Sequence, residues 1–590
     1  MARNKYNVDE TLETQFNAKH LLRSLVYIKR YKKLLIGAFI FSAISIVCGL
    51  LMPLFTADAI DEMIPNEDIK GLVIAGLSLI VIVIVQATCN RFRSRCSAIA
   101  GQAIVRDLRR DLYVHLQDLP FDYFDSRPHG KILVRVINYV NSVSDFLTNG
   151  IVNILLQVLS LFFIAIFMIS LNPKLALVVF AGLPVFIIYI FSIKRKQRRA
   201  WQQQANKQSN FTSYLAESIN GERVTQSFAR EEMNAGINEE LAIASRKAYL
   251  HAVTINHSIW PLSMIISKAV FYLIYIVGVV YLRDTIAVGM LVAMTSYANR
   301  FWDPIQQLSN YYNQLVNTVS YLERIFQLMD EPVTVTDKED AKDLPTMKGG
   351  VDFENVIFEY EKDRPILKNV SFHVEPGESI ALVGPTGAGK STIINLVSRF
   401  YNIKSGAVKI DGYDIADATL HSIRSQMGIM LQDTFIFSGT IMDNIRYGRL
   451  DATDEECIAA AKKVFADDFI SKMPQGYYTE INERGDMLSA GQRQLLSFAR
   501  TLISDPKILI LDEATSSIDT NTELLVQEGI KQLLKNRTSF VVAHRLSTIK
   551  DCDRIMYISD GVIAESGSHN ELMEKKGLYH QLYTSQLTNE

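Results

Sequence analysis

Apolar positions along this chain follow two rhythms, and the change falls near residue 330. Before it, apolar residues come in long unbroken runs. Residues 34–55, LLIGAFIFSAISIVCGLLMPLF, carry no charge, and a helix of that length crosses a hydrocarbon core of about 30 Å. Comparable runs at Leu72–Cys89, Ile151–Leu171, Leu175–Ile193, Trp260–Leu282 and, less strongly, Ile286–Ala298 bring the predicted spans to six. A cleaved signal peptide does not fit the first run, which is too long, follows a basic polar segment and precedes further spans. After residue 350, short β-type runs such as SIALV (379–383) and TSFVV (538–542) alternate with helical patterns, as in an α/β domain. The expected organisation is a membrane all-α domain of six spans with two long cytosolic loops (1–330), an acidic, proline-containing linker (331–349) and an α/β domain (350–590).

Basic residues orient the spans. Arg91, Arg93, Arg95, Arg106, Arg109 and Arg110 follow the second run, and Lys194, Arg195, Lys196, Arg198 and Arg199 end the fourth. The opposite loops, DEMIPNEDIKG, NPK and RDT, hold one basic residue each. Basic flanks stay on the cytoplasmic side, so a multi-pass protein of the cytoplasmic membrane is expected, with both termini, segments 91–146 and 194–255, and the α/β domain in the cytoplasm. Those two segments keep helical patterning. The spans are therefore predicted to run on into the cytosol and to turn back near LPFDYFDSRPHG (119–130) and SINGERVTQSFARE (218–231), where Pro and Gly interrupt the pattern. Each turn is a place for a soluble domain to grip the membrane half.

Charges inside the last two spans break the apolar rule. Lys268 lies in MIISKAVFYLIYIV, and Asn299, Arg300 and Asp303 lie in YANRFWDPIQQL. Unpaired charge in lipid is costly, so these side chains are expected to face a wet cavity or one another, Arg300 and Asp303 being spaced to pair. Trp260, Phe271, Tyr272, Tyr297, Phe301 and Trp302 are expected to line that cavity, which suits hydrophobic or amphipathic small molecules. With a net charge of −2 over 590 residues, bulk electrostatics gives no reason to expect nucleic acid. The five cysteines are scattered and lack C-x-x-C spacing, which argues against a disulfide framework or a zinc site.

The α/β half carries specific chemistry. GPTGAGKS (384–391) fits G-x-x-x-x-G-K-[ST] and stands between the strand SIALV and the helical TIINLVSRF, the setting that pattern requires. Its glycines let backbone amides curl around phosphates, Lys390 reaches the outer phosphates and the Ser391 hydroxyl ligates Mg²⁺. Gly384, Pro385, Thr386, Gly387, Ala388, Gly389, Lys390, Ser391 and Thr392 are accordingly assigned to ATP. In KILILDEATSSID an apolar strand delivers two adjacent carboxylates, whose side chains alternate in direction. Asp512 suits the Mg²⁺ shell, and Glu513 suits deprotonating the attacking water. His544 ends the strand run VVAH and is expected near the γ-phosphate. A second phosphate reader, LSAGQ (488–492), opens an amphipathic helix whose first amides favour an anion.

Together these motifs make residues 350–585 resemble the nucleotide-binding domain of ATP-binding cassette (ABC) transporters. Nearly everything after residue 20 is similar to their exporter half-transporters, with six spans fused ahead of one P-loop ATPase cassette. The resemblance implies that Tyr360, in VIFEY, stacks on adenine, and that Gln432, in GIMLQDTFIF, contacts Mg²⁺ and serves catalysis. It makes Glu483, in TEINERG, the centre of a loop that senses the partner's turns, although Asn482 departs from the usual glycine. LSAGQ resembles the family signature L-S-G-G-Q, which binds the γ-phosphate of ATP held on the opposite subunit. Ser489, Gly491 and Gln492 join the nucleotide-binding set with Asp519, and Ala490 departs from the family's glycine.

Such a resemblance also implies ATP-driven export of hydrophobic or amphipathic compounds, multidrug-type, by alternating access as one half of a dimer in membrane lipid. YANRFWDPIQQLSNYYNQL and VSYLERIFQLMDE look like the catalytically intact subunit of bacterial heterodimeric multidrug exporters. A second, different ABC half-transporter is thus the expected partner, with a homodimeric lipid or drug exporter as the alternative. An ATP-gated channel or regulatory subunit is a further alternative, disfavoured because Glu513, His544 and Gln432 are all present.

Overall fold

The computed structural model describes residues 18–127, 129–282, 286–361, 363–430, 434–482, 485–512, 520–542 and 549–587. It separates into two compact units. One comprises residues up to Gln117 and His129–Glu331; the other comprises Asp118–Pro128 and Pro332–Glu590.

The first unit is helical. Five helices, Lys32–Met63, Ile69–Asp118, Ile132–Leu171, Pro173–Asn220 and Met264–Tyr281, are long and apolar enough to cross a membrane. The predicted sixth span begins the helix Val288–Met329, whose apolar run is interrupted by Asn299, Arg300 and Asp303. Ile69–Asp118 has 50 residues and Pro173–Asn220 has 48, so at 1.5 Å per residue each reaches about 70–75 Å, far beyond the hydrocarbon. Two helix starts take side-chain acceptors, one from the adjoining residue and one from far along the chain. Asn172, ahead of Pro173, accepts from the amides of Lys174 and Leu175 at 3.0 and 3.1 Å. Asp61 accepts from the first amides of Val288–Met329, Gly289 at 2.5 Å and Met290 at 2.9 Å, an assignment no local pattern indicates.

Packing corrects the expected cavity lining. Tyr297, Phe301 and Trp302 are buried in the helix-bundle core with Met168, Val179, Phe186 and Ile274, because they share one face of their helix. Tyr272 remains exposed. Arg300 and Asp303 do not pair. Arg300 instead donates to the Gly49 carbonyl at 2.7 Å. Lys268 lies over the Phe271 ring, 5.2 Å from its centroid.

Both cytosolic turns form where Pro and Gly place them. Pro120 precedes the short helix Phe121–Asp125, and this segment clusters with the second unit. Gly221 ends Pro173–Asn220 ahead of the short helix Glu222–Ser227, which stays with the first unit.

Among the described residues the second unit holds three sheets, the smallest a pair of two-residue strands, β7 (Gly439–Thr440) and β8 (Glu480–Ile481). Four antiparallel strands, β1 (Val351–Glu361), β2 (Arg364–Val374), β4 (Ser405–Ile410) and β5 (Tyr413–Asp414), lie in the order β2-β1-β4-β5. The larger sheet runs β12-β11-β3-β10-β9-β6, with β3 Ser379–Val383, β6 Met427–Met430, β9 Ile508–Asp512, β10 Thr538–Val542, β11 Arg554–Ser559 and β12 Val562–Gly567. Its central strands are parallel and largely buried because both faces are covered. Alternate side chains serve different cores. Ile380, Leu382, Ile508, Ile510, Phe540 and Val542 pack towards the antiparallel sheet, whereas Ala381, Val383, Leu509, Leu511 and Val541 pack against the helical layer of Phe498, Leu495 and Cys457.

Candidate nucleotide site

Parallel register brings the chemistry to one sheet edge. Val542 of β10 pairs with Leu382 of β3 on one side and with Asp512 of β9 on the other. The carboxyl ends of these three strands are therefore level, and in open α/β sheets ligands bind outside that edge. The phosphate-loop motif leaves β3 there. Asp512, at the tip of β9, arrives beside it.

The loop can only be built with glycine. Gly384 has φ +137°, and a Cβ on it would come within 2.1 Å of the Ile558 carbonyl oxygen; Gly389 has φ +110°, and its Cβ would meet Leu367 at 2.8 Å. Such a turn directs successive amides inward, which is what a phosphate needs. Lys390 begins the helix Lys390–Val397, is 8% exposed, and donates to the carbonyls of Gly384 and Pro385 at 2.7 and 2.9 Å. Its ammonium is thus held across the loop mouth. Burial lowers its pKa from the ordinary lysine value, and the Asp512 carboxylate opposes that shift. Ser391, next along, is exposed, and Thr392 is buried beneath it. This donor set, backbone amides, one ammonium, one hydroxyl and one carboxylate, fits a nucleoside triphosphate with its divalent cation.

Tyr360, on β1, is 43% exposed. Its hydroxyl meets Thr392 Oγ1 at 3.3 Å and accepts from Asn395 Nδ2 at 3.4 Å, which ties the ring to the helix that starts at Lys390. Phe358 and Tyr401 stand edge-on to it, with centroids 4.7 and 5.1 Å away. The exposed ring is a shelf beside the phosphate loop. Tyr401 carried no motif; its signal was the aromatic pair Phe400–Tyr401 directly after the loop's helix.

The segment predicted as a second phosphate reader is a well-formed helix start. Ser489 caps Ala490–Ile503 in a capping box: its hydroxyl accepts from the Gln492 amide at 3.2 Å, and Gln492 Oε1 accepts from the Ser489 amide at 2.9 Å. Leu495, Leu496, Phe498 and Ala499 bury the opposite face. Ser489 is exposed and Gly491 is buried. Among the described residues, no hydrogen bond joins this helix start to the loop 384–392. Glu513, Asp519, Gln432, His544 and Glu483 lie outside the described residues.

Comparison with known proteins agrees with this layout. Residues 35–305 match the ABC transporter transmembrane region, and residues 367–516 match the ABC transporter domain. The chain is 41% identical over 588 residues to an uncharacterized ABC transporter ATP-binding protein, YknV, of Bacillus subtilis, covering 98% of this chain and 97% of that one. It is 34% identical over 580 residues to a putative multidrug export ATP-binding/permease protein, YgaD, of the same organism, covering 96% and 99%. A solved structure of a bacterial Atm1-family ABC exporter with ATP bound superposes with a TM-score of 0.78 at 29% identity, covering 94% of this chain and 98% of that one. The protein is an ABC exporter, a membrane-embedded half-transporter that couples ATP hydrolysis in its cytosolic ATPase domain to transport and works as a dimer.

Proposed function

We propose that this chain is the hydrolytically competent half of a heterodimeric exporter that moves hydrophobic or amphipathic compounds of the multidrug type. The observation that carries the reading is that one chain bears two candidate phosphate readers, a glycine loop at 384–392 and an exposed capped helix start at 489–492, with no hydrogen bond between them among the described residues. A partner's loop opposite Ser489 completes one site, and a partner's signature opposite Lys390 completes the other. Exposed Ile219, Val224 and Phe228 at the second cytosolic turn, 67%, 62% and 72% accessible, support a second chain covering that tip. The multidrug name of the relative supports the substrate class.

In this reading the loop amides and Lys390 hold the outer phosphates, while Ser391, Asp512 and Gln432 hold Mg²⁺, which supplies charge neutralisation at the transferred group. Glu513 takes the proton of the attacking water, with His544 orienting the γ-phosphate. Asn299, Arg300 and Asp303 share the exposed face of Val288–Met329, giving a transport path polar hydrogen-bonding groups amid apolar walls.

Copurification of the tagged chain tests the pairing: a stoichiometric second half-transporter is expected, and a pure homodimer overturns it. Ser489→Arg then tests the trans arrangement by azido-nucleotide photolabelling under turnover. Loss is expected at the partner's phosphate loop. Loss confined to the Lys390 site refutes the assignment.

A further inference from the structure

The candidate adenine shelf and the turn at residues 119–127 meet, within the second unit, at one side chain. Tyr401 follows the helix Lys390–Val397, and its ring stands edge-on to Tyr360, centroids 5.1 Å apart at 88°. Its hydroxyl donates to Asp125 Oδ2 at 2.7 Å, and Asp125 is the last residue of the short helix Phe121–Asp125. The neighbouring ring reinforces the contact. Phe400 packs on Phe121 with centroids 4.3 Å apart, and the Arg424 guanidinium lies over Phe400 at 5.1 Å. Burial and the Asp125 carboxylate push the Tyr401 phenol above its ordinary value, so the donor stays protonated.

The other edge of Tyr360 is pinned by Thr392 and Asn395 from the phosphate-loop helix. A base settling on the Tyr360 face therefore restricts ring tilt mainly against Tyr401. A tyrosine side chain has two rotatable bonds, so fixing its ring also fixes the direction of its hydroxyl.

We propose that Tyr401 is a positioning residue that couples occupancy of the Tyr360 shelf to the position of the turn 119–127, through the hydroxyl it gives Asp125. The inference rests on Tyr360 being the adenine shelf. Coupling of this kind is reciprocal: displacing the turn weakens the hold on the base by the same factor that the base stabilises the turn. The base, and not the phosphates alone, then reports to that turn.

Hydrogen exchange of residues 119–127, in the full chain with its partner in lipid nanodiscs, separates base from phosphate. Mg²⁺ with AMP-PNP should slow exchange there at least about fivefold more than Mg²⁺ with tripolyphosphate, within the usual range of allosteric coupling. Tyr401→Phe keeps both ring contacts and removes the donor, so that difference should vanish while AMP-PNP still binds. Asp125→Ala should give the same loss, and the double variant no further loss. Equal protection by tripolyphosphate in the unmodified protein, survival of the difference in Tyr401→Phe, or additive losses would each overturn the proposal. Unchanged AMP-PNP affinity in Tyr360→Ala would instead remove the shelf itself, which keeps the two failures distinct.

Discussion

Two sets of apolar side chains show how differently the halves of this molecule treat burial. Ile508, Leu509, Ile510 and Leu511 in the ATPase unit are 0–4% exposed, whereas Ile80, Val81 and Ile84 in the membrane unit are 57–59% exposed. Water drives the first set inward on both faces of a parallel sheet. Lipid accepts the second set outward, so the bundle is held by packing and by the few polar groups inside it. Each half has its exceptions. In the ATPase unit these are Lys390, buried at a helix start, and Asp512 at a strand tip; in the membrane unit they are Arg300, tied to the Gly49 carbonyl, and Lys268 over Phe271.

The largest expected effect lies at the strand tips. Glu513→Gln should lower ATPase activity in proteoliposomes by about 10²–10⁴-fold, the worth of a positioned general base, while nucleotide binding persists. Activity within tenfold of the unmodified protein would move the base elsewhere. The burial contrast itself is broken or sharpened by paired truncations. Ile510→Ala should destabilise the ATPase unit by about 2–5 kcal/mol, and Ile80→Ala the membrane unit by no more than about 0.5 kcal/mol, because lipid replaces the lost contact. Thermal unfolding in nanodiscs compares them, and equal losses would place Ile80 against protein. Tyr360→Ala should weaken ATP by about 1–3 kcal/mol, the scale of one base stacked on an aromatic ring; equilibrium binding measures it. The smallest change is one of labelling. Cysteine at position 268 or 300 should react with a membrane-impermeant thiol reagent in the nucleotide-free protein, and complete protection in every nucleotide state would place both positions against lipid or in a dry pair.

The glycine turn between β3 and the helix Lys390–Val397 was legible because its signal is local: glycines at fixed spacing, one lysine and one serine between a strand and a helix. Apolar runs of about 20 residues were legible for the same reason, since the bilayer imposes their length. The aromatic lining was not. Tyr297, Phe301 and Trp302 look like cavity residues beside Arg300, yet the helix turns them towards Val179 and Phe186, and sequence cannot say which face of a two-faced helix finds protein.

What the sequence determined by itself was the class of each half, the orientation of its spans and the phosphate-binding chemistry, all set by neighbours a few positions apart. Tertiary structure alone decided that Arg300 turns to Gly49 instead of Asp303, that Asp61 caps a helix beginning at Val288, and that Tyr401 meets Asp125 from 276 positions away. Each of those bonds satisfies a polar group that its own segment leaves open. Its partner is whichever distant backbone or side chain the packed core brings within reach.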